Sequence, residues 1–131
     1  MVRRNVRPLV LDSCVWVAYL HTEDSQHKKA CALLNGSQVP IRVPEYVLVE
    51  VVTVLSQKKQ RQQAVAFMER VLSDADVFMP AHDVAHETAK QFRAKENAKL
   101  SFADCALVVL QQTCEVMTFD RALSRALTTR R

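Results

Sequence analysis

Glycine is nearly absent from this sequence, whose 131 residues include one, Gly36. Loops that cradle phosphate with backbone amides need several glycines in a fixed pattern, so the P-loop and the dinucleotide-binding fingerprint are excluded. No apolar run approaches the roughly 18 residues that a membrane-spanning helix needs. The basic start MVRRNVR precedes an apolar stretch, as in a signal peptide, but Asp12 interrupts that stretch and no small-residue cleavage site follows. We therefore expect a cytoplasmic protein without membrane contact.

Paired cysteine and histidine motifs are also missing. No C-x-x-C pair occurs, so the sequence does not predict a zinc ribbon or a redox motif. We expect four reduced, half-buried thiols that behave as small hydrophobes: Cys14, Cys31, Cys105 and Cys114. His82 and His86 have the spacing of a helical metal pair, but a third ligand and the H-E-x-x-H pattern are both missing. We expect these two histidines to lie on the surface without zinc.

The composition is that of one globular domain, which we expect to span residues 1–131. Hydrophobic residues make up 49% and charged residues 24%, and a chain of this length can bury a core without disulfides or a structural metal. The net charge of +4 mildly favours a polyanionic partner. Basic residues gather in four places, each of which a solvated helix face or tail would also explain: Arg3-Arg4-Arg7, Lys58-Lys59-Arg61, Arg93-Lys95-Lys99 and residues 121–131.

Short apolar runs alternate with helical patterns along the chain. The predicted strands are residues 8–12, 39–43, 77–79 and 115–118, and the predicted helices are 13–20, 25–34, 45–59, 62–73, 83–96, 101–112 and 120–127. Asn35-Gly36 predicts a helix end, and Pro44 suits a helix start. This alternation predicts an α/β fold with a short central parallel sheet of about four strands, flanked by helices on both faces.

Two acidic residues stand where such a sheet binds ligands. Ligands of open parallel sheets collect beyond the carboxyl ends of the strands. Asp12 closes the first predicted strand, and Asp120 follows the last. Each stands between a strand and a helix, so a role in capping the following helix is the alternative explanation.

Two more acids lie within strongly apolar helical stretches. Glu50 belongs to YVLVEVVTVL, and burying an unpaired carboxylate there is costly, so it must meet a cation, meet a donor or take up a proton. The alternative is a glutamate at the rim of the apolar face that reaches water or a lysine. Asp104 belongs to LSFADCALVVL, where Ser101 and Asp104 also have the spacing of a capping box. Capping and metal binding are compatible, because a carboxylate has two oxygens.

Convergence of these four acids would favour a bound cation. Carboxylates on one edge repel one another and raise each other's pKa values unless a cation enters. Their hard oxygen atoms select Mg²⁺ or Mn²⁺ over zinc. The chemistry that suits such a site is phosphodiester hydrolysis.

Four stretches of the chain resemble the PIN domain, and within it the VapC-type toxins of toxin–antitoxin pairs. They occur in the family's order and span nearly the whole chain: LVLDSCVWVAYL, VPEYVLVEVVTVL, LSFADCALVVLQQ and VMTFDRAL. The resemblance implies an Mg²⁺- or Mn²⁺-dependent ribonuclease with a parallel-sheet fold. It assigns metal-binding and catalytic roles to Asp12, Glu50, Asp104 and Asp120. Ser13 and Thr118 would orient those carboxylates or a phosphate.

The resemblance also implies partners. Family members commonly form homodimers and are neutralised by a small antitoxin protein, so we expect both here. Arg121 and Arg125 share one face of the last predicted helix beside Asp120, and we expect them to contact RNA phosphates. Thr113-Cys114 stands where the family often has glycine, and few residues follow the last motif, so we expect the final strand of many members to be missing.

Other functions remain open from the sequence alone. A nuclease of this type that processes RNA or structured DNA would carry the same acids without being a toxin. A non-catalytic binding module would be expected to have lost one or more of them, and all are present. The haloacid dehalogenase phosphatases also place an aspartate after their first strand, but they need a second aspartate two positions later, where this chain has Cys14. Trp16 and Tyr19 are one helical turn apart, and we expect core or dimer packing there, with base stacking as the alternative.

Overall fold

A computed structural model describes residues 7–74 and 77–129. Arg3 and Arg4 of the first basic cluster, and the last two residues of the fourth, lie outside the described residues. In chain order the described elements are β1 Leu9–Leu11, α1 Ser13–Leu20, α2 His27–Asn35, β2 Ile41–Pro44, α3 Glu45–Gln57, α4 Arg61–Ser73, β3 Val77–Phe78, α5 His82–Arg93, a 3₁₀ turn Lys95–Asn97, α6 Phe102–Leu110, β4 Glu115–Met117 and α7 Arg121–Thr129.

The strands form one parallel sheet in the order β3-β2-β1-β4. Strand β1 lies between β2 and β4, with Leu9 opposite Ile41 on one side and Glu115 on the other. All three residues of β1 are buried, which means that both faces of the sheet are covered. Helices α1 to α4 pack against one another, and α6 packs against α5 and α7. The predicted α/β fold with a four-stranded parallel sheet is confirmed.

Strand β1 and helix α6 supply much of the core. Val10 and Leu11 are fully buried, and every residue of α6 from Cys105 to Leu110 is buried. Such uniformly apolar segments are expected where an element has neighbours on all sides. The consequence for the site is that Asp12 directly follows a strand whose residues are all buried.

The predicted helix over residues 83–96 is wrong at its end. Helix α5 ends at Arg93, Ala94 is extended (φ −70°, ψ 132°), and a 3₁₀ turn follows at Lys95–Asn97. The Asn97 side chain donates a hydrogen bond of 2.7 Å to the carbonyl oxygen of Gln91. In a longer helix, a backbone N–H would donate to this carbonyl at the end of α5. Here the Asn97 side chain donates to it instead.

Two predicted helix boundaries involve residues with special backbone properties. Gly36 caps α2 as predicted, but its φ of −88° is not left-handed, so the cap needs no glycine-specific conformation. Pro44 ends β2 and caps the start of α3, also as predicted. Among the described residues, Lys59 is the one residue other than glycine that has a positive φ (60°). It lies in the turn between α3 and α4.

Within residues 7–74 and 77–129, every helix falls short of the length and hydropathy that crossing a bilayer requires.

Candidate functional site

Asp12 is the centre of a hydrogen-bonded cluster at the carboxyl end of β1. Its side chain is 8% exposed and caps α1, with Oδ1 accepting from the backbone N–H of Ser13 at 2.8 Å. Oδ2 accepts from the Thr118 hydroxyl at 2.7 Å and from the Cys14 thiol at 3.3 Å. The capping explanation is therefore correct for Asp12, and Oδ2 also accepts from Thr118, which lies beyond β4.

Glu50 joins this cluster through Ser13. The Ser13 hydroxyl donates to Oε1 of Glu50 at 2.7 Å, across 37 positions of the sequence. Glu50 is half-buried on α3. Of the three possibilities predicted for this carboxylate (a cation, a donor or a proton), the structure shows a donor. Asp12 and Glu50 thus lie on either side of one serine.

Asp120 joins the cluster from β4. The backbone N–H of Asp120 donates to the Thr118 hydroxyl at 3.0 Å, and the same hydroxyl donates to Asp12. Oδ1 of Asp120 accepts from the N–H of Leu123 at 2.9 Å, which places the carboxylate at the N-terminus of α7. Thr118 therefore fixes the position of Asp120 relative to Asp12.

Asp104 approaches the other acids from the start of α6. It forms the predicted capping box with Ser101: the Ser101 hydroxyl accepts from the Asp104 N–H, and Oδ2 of Asp104 accepts from the Ser101 N–H, both at 3.0 Å. Burial and the negative charges of Asp12 and Asp120 raise the pKa of Asp104, while the bonds from Ser101 lower it. Unlike Glu50 and Asp120, Asp104 shares no hydrogen-bonding side chain with Asp12 among the described residues. We call the four predicted acids together the acidic edge: Asp12, Glu50, Asp104 and Asp120.

Two side chains at the acidic edge were not predicted. Burial and the charge of Asp12 raise the pKa of the Cys14 thiol to about 11, so the thiol keeps its proton and donates to Asp12. The Tyr46 hydroxyl is buried without a hydrogen-bond partner in the described structure, and its pKa is raised by burial and by the charges of Asp12 and Glu50. The sequence does contain one indication for Tyr46: it lies one helical turn before Glu50, so the two side chains share a face of α3.

The chemistry of the acidic edge fits a hard divalent cation. Its donors are carboxylate oxygens, the ligands that Mg²⁺ and Mn²⁺ prefer. A cation would also relieve the repulsion that raises the pKa of Asp104. Among the described residues, no group of three or more His, Cys, Asp or Glu side chains is arranged so that it could hold a metal ion. The acidic edge therefore matches a divalent cation in its oxygen donors and its negative charge, and not in a finished arrangement of ligands.

Other predicted groups have clear positions. Arg121 and Arg125 are exposed on α7, and both line a groove with Thr118 and Asp120. Trp16 is 8% exposed and packs on Phe67, with ring centroids 5.1 Å apart. Core packing is thus confirmed for Trp16, whose ring is not available to a base.

The surface positions predicted for His82 and His86 are confirmed. The exposed His82 and His86 contact each other, with 3.2 Å between their Nε2 atoms. All four cysteines are free thiols, two of them buried and two partly buried.

The fold and these contacts define an α/β protein in which Asp12 and Asp120 follow two neighbouring strands of a parallel sheet, with Glu50 linked to Asp12 through Ser13. The family model of the PIN domain matches residues 9–126, and the chain belongs to the PIN-domain family. Its fold is similar to that of VapC20 from Mycobacterium tuberculosis, described as a sarcin–ricin loop cleaving toxin. The TM-score is 0.78 at 20% sequence identity, over 90% of this chain and 94% of that one. No curated protein matches the sequence at a significant level.

Proposed function

We propose that the protein is an Mg²⁺- or Mn²⁺-dependent endoribonuclease and the toxin of a toxin–antitoxin pair. The observation that carries the proposal is the chain of contacts from Glu50 through Ser13 and Asp12 to Thr118 and Asp120. Membership of the PIN-domain family supports nuclease chemistry. The similarity of the fold to a toxin described as cleaving an RNA loop supports RNA as the substrate.

The four acids of the acidic edge are the proposed cation ligands. When bound, a divalent cation lowers the pKa of a coordinated water and stabilises charge on the leaving oxygen. The protein's own contribution is to hold the carboxylates in place. Thr118 and Ser13 direct the oxygens of Asp12 and Glu50, and the protonated Cys14 thiol shares Oδ2 of Asp12 with Thr118. Arg121 and Arg125, exposed beside Asp120, are the proposed phosphate contacts.

Removal of divalent cations should abolish RNA cleavage. With total RNA as the substrate and cleaved ends mapped by sequencing, we expect discrete cuts in Mg²⁺ or Mn²⁺ and none in EDTA, with activity restored when either ion is added back. The physical reason is that the carboxylates alone cannot lower the pKa of water or neutralise a phosphate. Cutting that persists in EDTA and in an Asp12→Ala variant would overturn the proposed site.

Thr118→Val should lower the cleavage rate by about 10- to 100-fold, the usual cost of removing a group that orients a metal ligand. Valine keeps the size and branching of threonine but removes both the donor to Asp12 and the acceptor for the Asp120 N–H. Thr118→Ser keeps the hydroxyl and should stay close to wild type. The rates should be measured under single-turnover conditions, and equal activity of the Val and Ser variants would contradict a role for the hydroxyl.

The toxin role is separable from the nuclease role. Expression should arrest growth, and a small protein encoded next to the gene should relieve the arrest. A cleaving enzyme that causes no arrest would favour an RNA- or DNA-processing role.

We propose that the protein acts in the cytoplasm, which its four free thiols support. We also propose a homodimer, supported by exposed apolar side chains near α5 such as Met79 (72% exposed) and Phe102 (49%). The mass in solution tests this.

A further inference from the structure

A groove beside α7 lies outside the acidic edge. It runs between the segment 95–100 and α7 and has a volume of about 600 Å³, within the range of about 300–1,000 Å³ that is common for ligand clefts. We call it the Lys95 groove and define it by Lys95, Lys99, Leu100, Ala122, Arg125 and Ala126. The break at Ala94 creates it, because a continuous helix would carry these lysines away along its own axis.

The charge of the Lys95 groove is mainly positive. Lys95, Lys99 and Arg125 are exposed, and within residues 7–74 and 77–129 none of them forms an ion pair. Glu96 is the acid on the same lining. Leu100, Ala122 and Ala126 contribute apolar surface between the charged groups. Cations around an apolar floor suit a ligand that combines phosphate with flat or apolar parts.

Several other cations among the described residues are already engaged within the protein. The guanidinium of Arg7 donates to the backbone carbonyl oxygens of Gln111 and Cys114. Arg70 and Lys90 each form an ion pair on their own helix. Lys29 lies over the ring of Phe119, 5.0 Å from its centroid. The unpaired cations of the Lys95 groove are therefore well placed to attract an anion.

The Lys95 groove adjoins the acidic edge at two points. Lys99 and Leu100 directly precede Ser101, which caps the helix that carries Asp104. Arg125 lines both the Lys95 groove and the groove on the other side of α7 that includes Asp120. A strand lying in the Lys95 groove can therefore continue past Arg125 to the acids.

We infer that the Lys95 groove binds the backbone of single-stranded RNA next to the phosphodiester held at the acidic edge. The inference rests on the proposed function and adds the path of the substrate. The four carboxylates repel a polyanion, so the strand needs cations close to them but outside the metal site. Lys95, Lys99 and Arg125 contact phosphates on this path, and the apolar floor accepts a sugar or a base.

The test is RNA binding measured separately from cleavage. A fluorescent single-stranded RNA of about 20 nucleotides, long enough to cover several sites of the size used by single-strand binders, is titrated by anisotropy at several salt concentrations. All proteins carry Asp12→Asn and are kept in EDTA, so that the RNA stays intact. The double variant Lys95→Ala/Lys99→Ala is compared with Lys58→Ala/Arg61→Ala, which removes the same charge from exposed residues where α3 ends and α4 begins.

We expect the Lys95→Ala/Lys99→Ala variant to lose about 1.4 from the slope of log K against log salt, since each single-strand phosphate contact contributes about 0.7. If the two proteins bind RNA equally at 1 M salt, this difference in slope makes the affinity of the variant about 25-fold lower at 0.1 M salt. The control pair should change both values much less. Matching melting temperatures exclude a folding defect.

Three results would overturn the inference: an unchanged slope in the groove variant, an equal loss in the control, or binding of polyglutamate but not RNA. RNA that the unmodified protein binds through the groove but does not cut in Mg²⁺ or Mn²⁺ would instead refute the proposed nuclease function and leave the groove as an RNA-binding site.

Discussion

An Asp12→Asn variant is expected to lose RNA cleavage by at least about 100-fold, since the loss of a group that merely supports a metal ligand already costs about 10- to 100-fold. Asp12 is buried and accepts hydrogen bonds from three groups, so its carboxylate links the contacts to Glu50 and to Asp120. Asparagine has nearly the same shape but presents an N–H₂ group where one oxygen stood. That group carries no charge for a cation, and it cannot accept from Thr118.

The variant should remain folded, because the substitution also removes one of the charges that raise the pKa of Asp104. Single-turnover cleavage and thermal melting should be measured together. Asp83→Asn, an exposed position in the first turn of α5, makes the same chemical change away from the acidic edge and should leave the cleavage rate unaltered. Wild-type activity of Asp12→Asn, or an equal loss in Asp83→Asn, would contradict the role assigned to Asp12.

Leu11→Ala should have the largest effect on stability, with a loss of about 3 kcal/mol in the free energy of unfolding. Leu11 is fully buried on the central strand, with β2 and β4 on either side and helices over the faces, so the cavity cannot close by a small shift. The melting temperature should fall by about 10 °C for a domain of this size.

The matched control is Leu72→Ala on α4. Leu72 is 54% exposed, and exposed truncations usually change stability by within about 0.5 kcal/mol. Denaturant unfolding of both variants measures the difference. Similar losses at the two positions would show that Leu11 does not belong to the cooperative core.

Patterns that depend on local spacing predicted most of the architecture. The apolar run that ends at Asp12 predicted β1, and the Ser101–Asp104 spacing predicted the cap of α6; both are confirmed. The position of Asp12 and Asp120 beyond two strand ends followed from the parallel sheet alone. The strand order, which brings β1 and β4 side by side, was not predicted, because periodicity gives no information on which strands pair.

Features that depend on particular side-chain contacts could not be predicted. The break at Ala94 depends on the Asn97 side chain reaching back to Gln91, and helical periodicity continues across it. The contact of Cys14 with Thr118 depends on the pairing of β1 with β4. The Lys95 groove depends on both the break and the packing of α7 beside it. The contact of Cys14 with Thr118 and the Lys95 groove join residues that only the assembled fold brings near, whereas the bond between Asn97 and Gln91 is local but follows no periodic pattern.

The bond between Thr118 and Asp12 joins residues 106 positions apart, which has a consequence for synthesis of the chain. At about 5–20 residues per second, roughly 5 to 20 s separate the translation of these two residues. During that interval Asp12 has neither Thr118 nor Asp120 beside it. The nascent chain thus lacks at least Asp120 of its acidic edge until β4 has been translated. If the proposed nuclease needs Asp120, it cannot cleave RNA before β4 docks beside β1, so the order of translation would delay its activity.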